Sequence, residues 1–458
     1  MKYCPQDTKL LTFYDAYQAF LKGTDTPSAY LERCLEVIDK REPIVKAWVS
    51  LNVEGAREAA KAATQRYKNN APLSMIDGMP IGIKDMIETK DMPTELGSPA
   101  YKGRHTYRDS AIIWALREAG AIILGKTVTT TLAFLDPGPT TNPFDSRRTP
   151  GGSSSGSAAA VGAGMVPVTI GTQLVASILR PAGYCGNWAL KPSIGAFNRG
   201  EGLEFSQSHH GILASNEIDL WHVATEIAHR VGGDPGYPGL YGQPNHIPPA
   251  QKPSRLAILE TEGWGRVEPS AKAAFNQAVK KLQESGISVL QRTDCNKIEA
   301  LEQSIANAVE LSLRISAWEH RWILENMAEQ HPEKIGKYLR KHLEKSRQLT
   351  LAEYRQDLAA RDEARARLKA LEPIYDGLIT LSAVGIAPII AAIENSQFPT
   401  GDLSMGCPAS LLGSAAYNVP ALSDQGMPLG LQIMGQQDWD ERTLGYARWI
   451  HQYLIRAD

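Results

Sequence analysis

Residues 151–164 read GGSSSGSAAAVGAG, a run that supplies several hydroxyl groups on a backbone with almost no bulk. Gly152–Gly156 satisfies G-x-S-x-G, the turn in which α/β-hydrolases expose a serine nucleophile, and would make Ser154 the attacking group. That turn needs a strand running straight into it, whereas NPFDSRRTP (142–150) leads in with two prolines, an aspartate and two arginines. It also needs a late histidine, and His451 lies in a helical pattern. A flexible linker is a second reading, but the continuation SAAAVGAGMVPVTIG is too apolar for one and favours a helix packed closely on a neighbour. His209 and His210 offer imidazoles, yet adjacent residues do not share a helical face and no carboxylate spacing accompanies them. They read as structural or substrate-lining residues rather than metal ligands.

The elements that would position such groups are legible along the 458 residues. The first seventy read as helices, with Thr26-Pro27 as an N-cap and first-turn proline. From Met79 short apolar strands alternate with helices: MPIGIKDMIE, DSAIIWALREAG, AIILGKT, MVPVTIG. That alternation predicts an α/β fold around a sheet covered on both faces. The Pro/Gly cluster 232–254 reads as a boundary or a long surface loop. Residues 299–371 are helical and charged, and VPALSDQGMPLGLQIMG reads as strand, tight turn and strand before a last helix from Asp440. Lys and Arg number 48 against 50 Asp and Glu, so a net charge of −2 gives no bulk attraction to nucleic acid or anionic membrane. Five scattered cysteines, Cys4, Cys34, Cys185, Cys295 and Cys407, fit neither a disulfide framework nor a zinc ribbon. The N-terminus lacks the apolar core of a signal peptide, and a cytoplasmic setting is expected.

Three further stretches carry a resemblance. Gly78–Asp85 reads G-x-P-x-G-x-K-D, Gly151–Ser154 reads Gly-Gly-Ser-Ser, and Gly171–Ala182 follows loosely a G-T-D-x-G-G-S-I-R-x-P-A pattern. In that order the chain resembles the amidase signature family of serine amidohydrolases, and the likeness extends through CGNWALKPSIGAF, GILASNEIDL, PTGD (399–402) and VPALSDQGMPLGLQIMG. The resemblance implies one amidase domain over 1–458, with a helical segment 1–70, a signature core 71–225 and a helical lid or substrate-side insert 299–371. It implies a large mixed twisted sheet with helices on both faces. It also implies a catalytic triad of Ser177 as nucleophile, Ser153 as a serine preceded by a cis peptide, and Lys84 as base, with the amides of Leu174, Val175 and Ala176 as an oxyanion hole. Ser154, Ser155 and Arg180 would support these groups, and Gln173, Thr129 and Cys407 would contact substrate. No metal or organic cofactor is implied.

The implied chemistry is physically consistent. A serine hydroxyl is a weak nucleophile until a neighbouring base takes its proton. An exposed lysine titrates near about 10.4, but burial can lower that by about 3 to 5, and Lys84 sits in the apolar frame MPIGIKDMI. The expected reaction is hydrolysis of C–N bonds in small amides or amide-like carbamates, by a monomer or homodimer. The chain departs from the family most at the oxyanion loop, where Val175-Ala176 replaces Gly-Gly, Gln173 replaces Asp, and the arginine is displaced to Arg180. Glycine reaches positive φ freely and valine resists it, so the loop is either built from ordinary dihedrals or bounds a narrower pocket. Two other readings stay open: an amidotransferase-like subunit that needs partner chains, and an amidase-like protein without catalysis. Trp318 and Trp322, four apart on one helix, read as core or as the wall of a substrate pocket.

Overall fold

The computed structural model describes residues 2–8, 10–200 and 205–456. Eleven strands form one sheet: β1 (Trp48–Leu51), β2 (Pro80–Lys84), β3 (Ile122–Thr127), β4 (Val168–Gln173), β5 (Trp188–Lys191), β6 (His209–Ala214), β7 (Arg255–Ile258), β8 (Ser288–Leu290), β9 (Gly377–Leu381), β10 (Ala416–Asp424) and β11 (Met427–Met434). Their order is β1-β3-β2-β4-β6-β5-β10-β11-β9-β7-β8. β2 runs parallel to β3 and β4, while β6, β5, β10 and β11 pair antiparallel. The sheet is therefore mixed, and it is closed over on both sides. Along β7, Leu256 and Ile258 join one apolar cluster and Ala257 another; along β9, Ile379 and Leu381 separate from Leu378 in the same way. Alternating side chains can enter two cores only if helices cover both faces.

Most elements lie where the sequence pattern places them, and the exceptions have local causes. Thr26 caps the helix Pro27–Val45 through a bond from the Ala29 amide, and Gln425-Gly426 turns β10 into β11 with both residues at positive φ. The all-helical reading of the first seventy residues misses β1. Its four residues are too short for a period to declare itself, and only pairing with β3 makes them a strand. The Pro/Gly cluster 232–254 is a connection between the helix Glu217–Val231 and β7, strands of the same sheet lying on either side of it in sequence. No helix among the described residues is long and apolar enough to cross a membrane.

The small-residue run folds as a turn over 151–154 followed by the helix Ser155–Gly162, every residue of which is buried. Its composition follows from how closely it approaches backbone. A Cβ on Gly156 would stand 2.2 Å from the Ala47 carbonyl oxygen and 2.4 Å from the Val128 nitrogen, and one on Gly162 would stand 2.5 Å from the Cys185 carbonyl oxygen. Neither neighbour is a side chain that could swing away. Gly82 in β2 is similarly confined, by Trp48, Thr127 and Thr169. Gly156→Ala is expected to destabilise the protein by about 3 kcal/mol or more, at the upper end of overpacking costs, read as a lowered urea midpoint.

Candidate active site

Lys84 is the last residue of β2, and Thr172 and Gln173 end the parallel neighbour β4, so both strands deliver polar groups at their carboxyl ends. The Lys84 side chain is fully buried. Its Nζ lies 2.6 Å from Ser153 Oγ, 3.1 Å from Ser154 Oγ, 2.8 Å from Thr172 Oγ1 and 3.3 Å from the Thr172 carbonyl oxygen. No carboxylate is among these partners. Burial pushes the ammonium well below the usual lysine value, which makes the neutral amine accessible. The surrounding bonds then fix where its lone pair points. Ser154 Oγ donates to the Thr172 carbonyl at 3.1 Å, so towards Lys84 it accepts; Thr172 takes the second N–H; the lone pair is left for the Ser153 hydroxyl.

The turn that carries Ser153 is held from behind. The Gly152–Ser153 peptide is cis, and its carbonyl oxygen on Gly152 accepts from Arg180 Nη2 at 2.5 Å. The same buried guanidinium donates to Thr400 Oγ1 at 3.0 Å and to the Gly401 carbonyl, tying the turn to the PTGD segment. Ser155 Oγ donates to the Val128 carbonyl at 3.3 Å. Gly171 leaves room for the Ser154 hydroxyl, since a Cβ there would lie 2.8 Å from its Oγ. Thus Ser154, Ser155 and Arg180 all brace the turn.

Ser177 stands on the loop after β4, half-buried, and its carbonyl accepts from the Ser154 amide at 3.3 Å. That bond sets the Ser177 and Ser153 loops side by side. Among the described residues the Ser177 hydroxyl has no hydrogen-bond partner. The loop itself resolves the question raised by Val175-Ala176: Leu174, Val175 and Ala176 all keep negative φ. Its carbonyls are turned inward. Leu174 accepts from Gln207, Val175 from Ser410, and Ala176 from the Arg180 amide, while the backbone N–H groups of Val175 and Ala176 meet no acceptor among the described residues. The Val175 side chain enters the core beneath the helix Ala308–Gln330, and Ala176 packs against Gly406, where a Cβ would stand 3.0 Å away.

Ser153 and Leu174 line the cavity described below, whereas Ser177, Gln173, Thr129 and Cys407 are not among its lining residues. Gln173 is buried and its carboxamide staples the loop: Oε1 accepts from the Ile178 and Leu179 amides at 2.8 and 3.0 Å, and Nε2 donates to Ser410 at 2.9 Å. Where the family pattern has an aspartate, this chain gains a donor as well as an acceptor. Thr129 is buried, and its hydroxyl donates to the Thr130 carbonyl at 3.2 Å. Cys407 is buried with its thiol 3.3 Å from Ser312 Oγ, and burial pushes its pKa up to about 12, so it is a packed group rather than a reactive one.

A cavity of about 160 Å³ opens beside Ser153, Thr172 and Leu174. Sequence reasoning missed most of its wall. The turn Thr131–Ala133 presents Leu132, Ala133 and Phe134, and Leu132 and Ala133 both sit at positive φ (49° and 54°), as does Leu96 opposite (56°). Such dihedrals cost a non-glycine residue about 1–2 kcal/mol each, and bonds such as Leu132 N to Leu96 O (2.8 Å) hold them. At the polar end Glu88 takes Arg104 at 2.7 Å and Arg108 at 2.6 Å; burial opposes its ionisation, and the two guanidiniums nonetheless hold its carboxyl below the usual range. His210 lines the cavity, as does His320 from the helix Ala308–Gln330. Trp318 and Trp322 do not: Trp318 stacks on Tyr354 and Trp322 is 66% exposed. Asp85 braces the strand-to-cavity segment, accepting from the Glu95 amide and pairing with buried Lys126 at 3.3 Å.

The chain is similar to known proteins along most of its length. A family model described as Amidase matches residues 29–444. The chain is 31% identical over 474 aligned positions to a glutamyl-tRNA(Gln) amidotransferase subunit from Chloroflexus aggregans, covering 95% of this chain and 94% of that one. Among solved structures, one described as an amidase superposes with a TM-score of 0.84 at 26% identity, covering 96% of this chain and 99% of that one. A peptide amidase of Stenotrophomonas maltophilia shares the fold with a TM-score of 0.80 at 24% identity, covering 96% of each chain.

The staple role of Gln173 is testable. Gln173→Met keeps the volume but strands the buried Ile178 and Leu179 amides and removes the donor to Ser410 Oγ, and is expected to cost about 2–3 kcal/mol of stability, read from guanidinium unfolding.

Proposed function

The chain belongs to the amidase family, and on that premise we propose that it hydrolyses the C–N bond of small amides or amide-like carbamates through an acyl-enzyme on Ser177. Neutral Lys84 accepts the Ser153 proton while Ser153 takes the proton of Ser177, and the freed Ser177 oxygen attacks the carbonyl carbon. The N–H groups of the Leu174–Ala176 loop receive the developing oxyanion. Donors of this kind are worth about 2.7–4 kcal/mol each where they have been removed from comparable sites. When the C–N bond breaks, the proton held on Lys84 returns through Ser153 to the leaving nitrogen. Water then repeats the sequence on the acyl-enzyme, releasing the acid and restoring Ser177.

The single observation that supports this reading best is the Lys84 amine, buried without a counter-ion and 2.6 Å from Ser153 Oγ. A structural lysine in such a place would be expected to find a carboxylate, as Lys126 finds Asp85. The free N–H groups of Val175 and Ala176 speak against the non-catalytic alternative.

A second reading is favoured by the likeness to the amidotransferase chains: a catalytic component that acts only with partner chains. The two separate in one experiment. The purified chain, of a single size by light scattering, is expected to turn over simple amides unaided; glutamine turnover only after partner chains are added would select the second reading.

Ser177→Ala should lower kcat by about four orders of magnitude or more while leaving the unfolding free energy within about 0.5 kcal/mol of the parent. Turnover near the parent level in that variant would overturn the assignment. The pH profile carries an independent signature. Lys84 must be neutral to act and its folded pKa is depressed, so kcat/KM is expected to be lost as pH falls through that depressed value, well below the usual lysine range. In the window between the depressed value and the usual one the unfolded chain binds the extra proton, so the Lys84 contribution to stability grows as pH rises. Rate measurements from acid to alkaline pH, set beside Lys84→Met stability curves, check both.

A further inference from the structure

We propose that the cavity beside Ser153 selects substrates carrying a single planar aromatic ring attached to the scissile group, as in benzamides and anilides, and excludes bicyclic and long-chain ones. This rests on the amide-hydrolysis reading for the reacting group, but the shape of the cavity stands independently.

Size sets the first limit. About 160 Å³ is close to the roughly 150 Å³ of the engineered lysozyme cavity that holds one benzene. The nature of the wall sets the second. Four of its side chains are aromatic or imidazole rings: Phe134, Phe205, His210 and His320. Three of them, Phe134, Phe205 and His320, belong to a continuous array completed behind the wall by His342: Phe205 meets His320 edge-on at 4.1 Å, His320 meets His342 at 5.7 Å and 87°, and His342 meets Phe134 at 4.2 Å. A planar ring entering this array can make offset or edge contacts of the kind the wall already makes within itself; a flexible chain cannot.

Charge does not contradict this. Burial lowers His320 to about 4, and burial with His320 alongside lowers His342 to about 3, so both imidazoles are neutral at physiological pH. The charged groups of the cavity are Glu88, Arg104, Arg108 and Arg199. Glu88 pairs with Arg104 and Arg108, and Arg199 pairs with Asp234, which leaves the ring array as the apolar side of the cavity.

The wall is also stiff. Leu132 and Ala133 are held at positive φ by backbone bonds to Leu96 and Thr130, and Phe134 is fixed in the same turn by its amide bond to Thr131. A cavity bounded by such a turn and by the helices Ala308–Gln330 and Lys337–Gln348, which carry His320 and His342, does not widen readily for a second fused ring. His320 is the residue whose removal would widen it, since it stands in the wall between Phe205 and His342.

The test uses the full chain with Ser177→Ala, so that ligand binding is read without turnover and the outcome does not depend on whether hydrolysis is the function. Ligand-observed NMR titrations with benzamide, acetanilide, hexanamide and 2-naphthamide give relative Kd values. Benzamide or acetanilide is expected to bind about tenfold more tightly than hexanamide or 2-naphthamide, and whichever of the two is tighter tells which side of the amide the ring occupies. Adding His320→Ala is expected to bring 2-naphthamide to within about threefold of the better single-ring amide, a gain that mere destabilisation would not produce. Hexanamide or 2-naphthamide binding as tightly as both single-ring amides would overturn the proposal, and so would a His320→Ala variant that weakens every ligand equally.

Discussion

The placing of one amine where water cannot reach it governs much of the rest. Lys84 has an apolar strand behind it, hydroxyl groups around it and no carboxylate beside it. A lysine in water would hold its proton and be useless as a base; one in a purely apolar cavity would have nothing to exchange with. The cage of Ser153, Ser154 and Thr172 supplies polar partners without supplying charge, which keeps the depressed pKa and directs the lone pair. The neighbouring Asp85–Lys126 pair shows the contrast, because there a buried lysine meets its counter-ion and serves the architecture.

Keeping that cage intact explains several demands elsewhere. Ser153 and Ser154 must approach β4 so closely that Gly171 cannot carry a side chain, and the helix behind them lies on backbone at Gly156 and Gly162. Arg180 takes the Gly152 carbonyl and the PTGD segment together, so the turn is held from behind by a buried guanidinium. The run of Gly, Ser and Ala that suggests flexibility in the sequence is, in the fold, one of its most confined parts.

The Leu174–Ala176 loop is built from a different composition from the family pattern. With Val175 and Ala176 in place of glycines, it keeps negative φ, buries the valine in the core, and relies on the Gln173 carboxamide to hold its shape. Backbone strain appears instead across the cavity, at Leu96, Leu132 and Ala133, where it shapes the wall rather than the donors.

The sequence by itself determined the α/β alternation, the capped helix at Thr26-Pro27, the hairpin at Gln425-Gly426, and the motif positions of Lys84, Ser153 and Ser177, because each rests on local periodicity, local turn chemistry or contiguous motif residues. β1 escaped because four residues carry too little period. The burial and partners of Gln173, Thr129 and Cys407 were not legible, because motif proximity to a nucleophile says nothing about which way a side chain faces. Only the tertiary structure decided that Phe134, Phe205, His210 and His320 share one cavity, since they come from a turn, a loop, a strand and a distant helix that only chain folding brings together. It also decided that Trp318 and Trp322 do not share that cavity. Their spacing put both on one helix, but which face of that helix meets the cavity was fixed by packing against the rest of the chain, and that face belongs to His320.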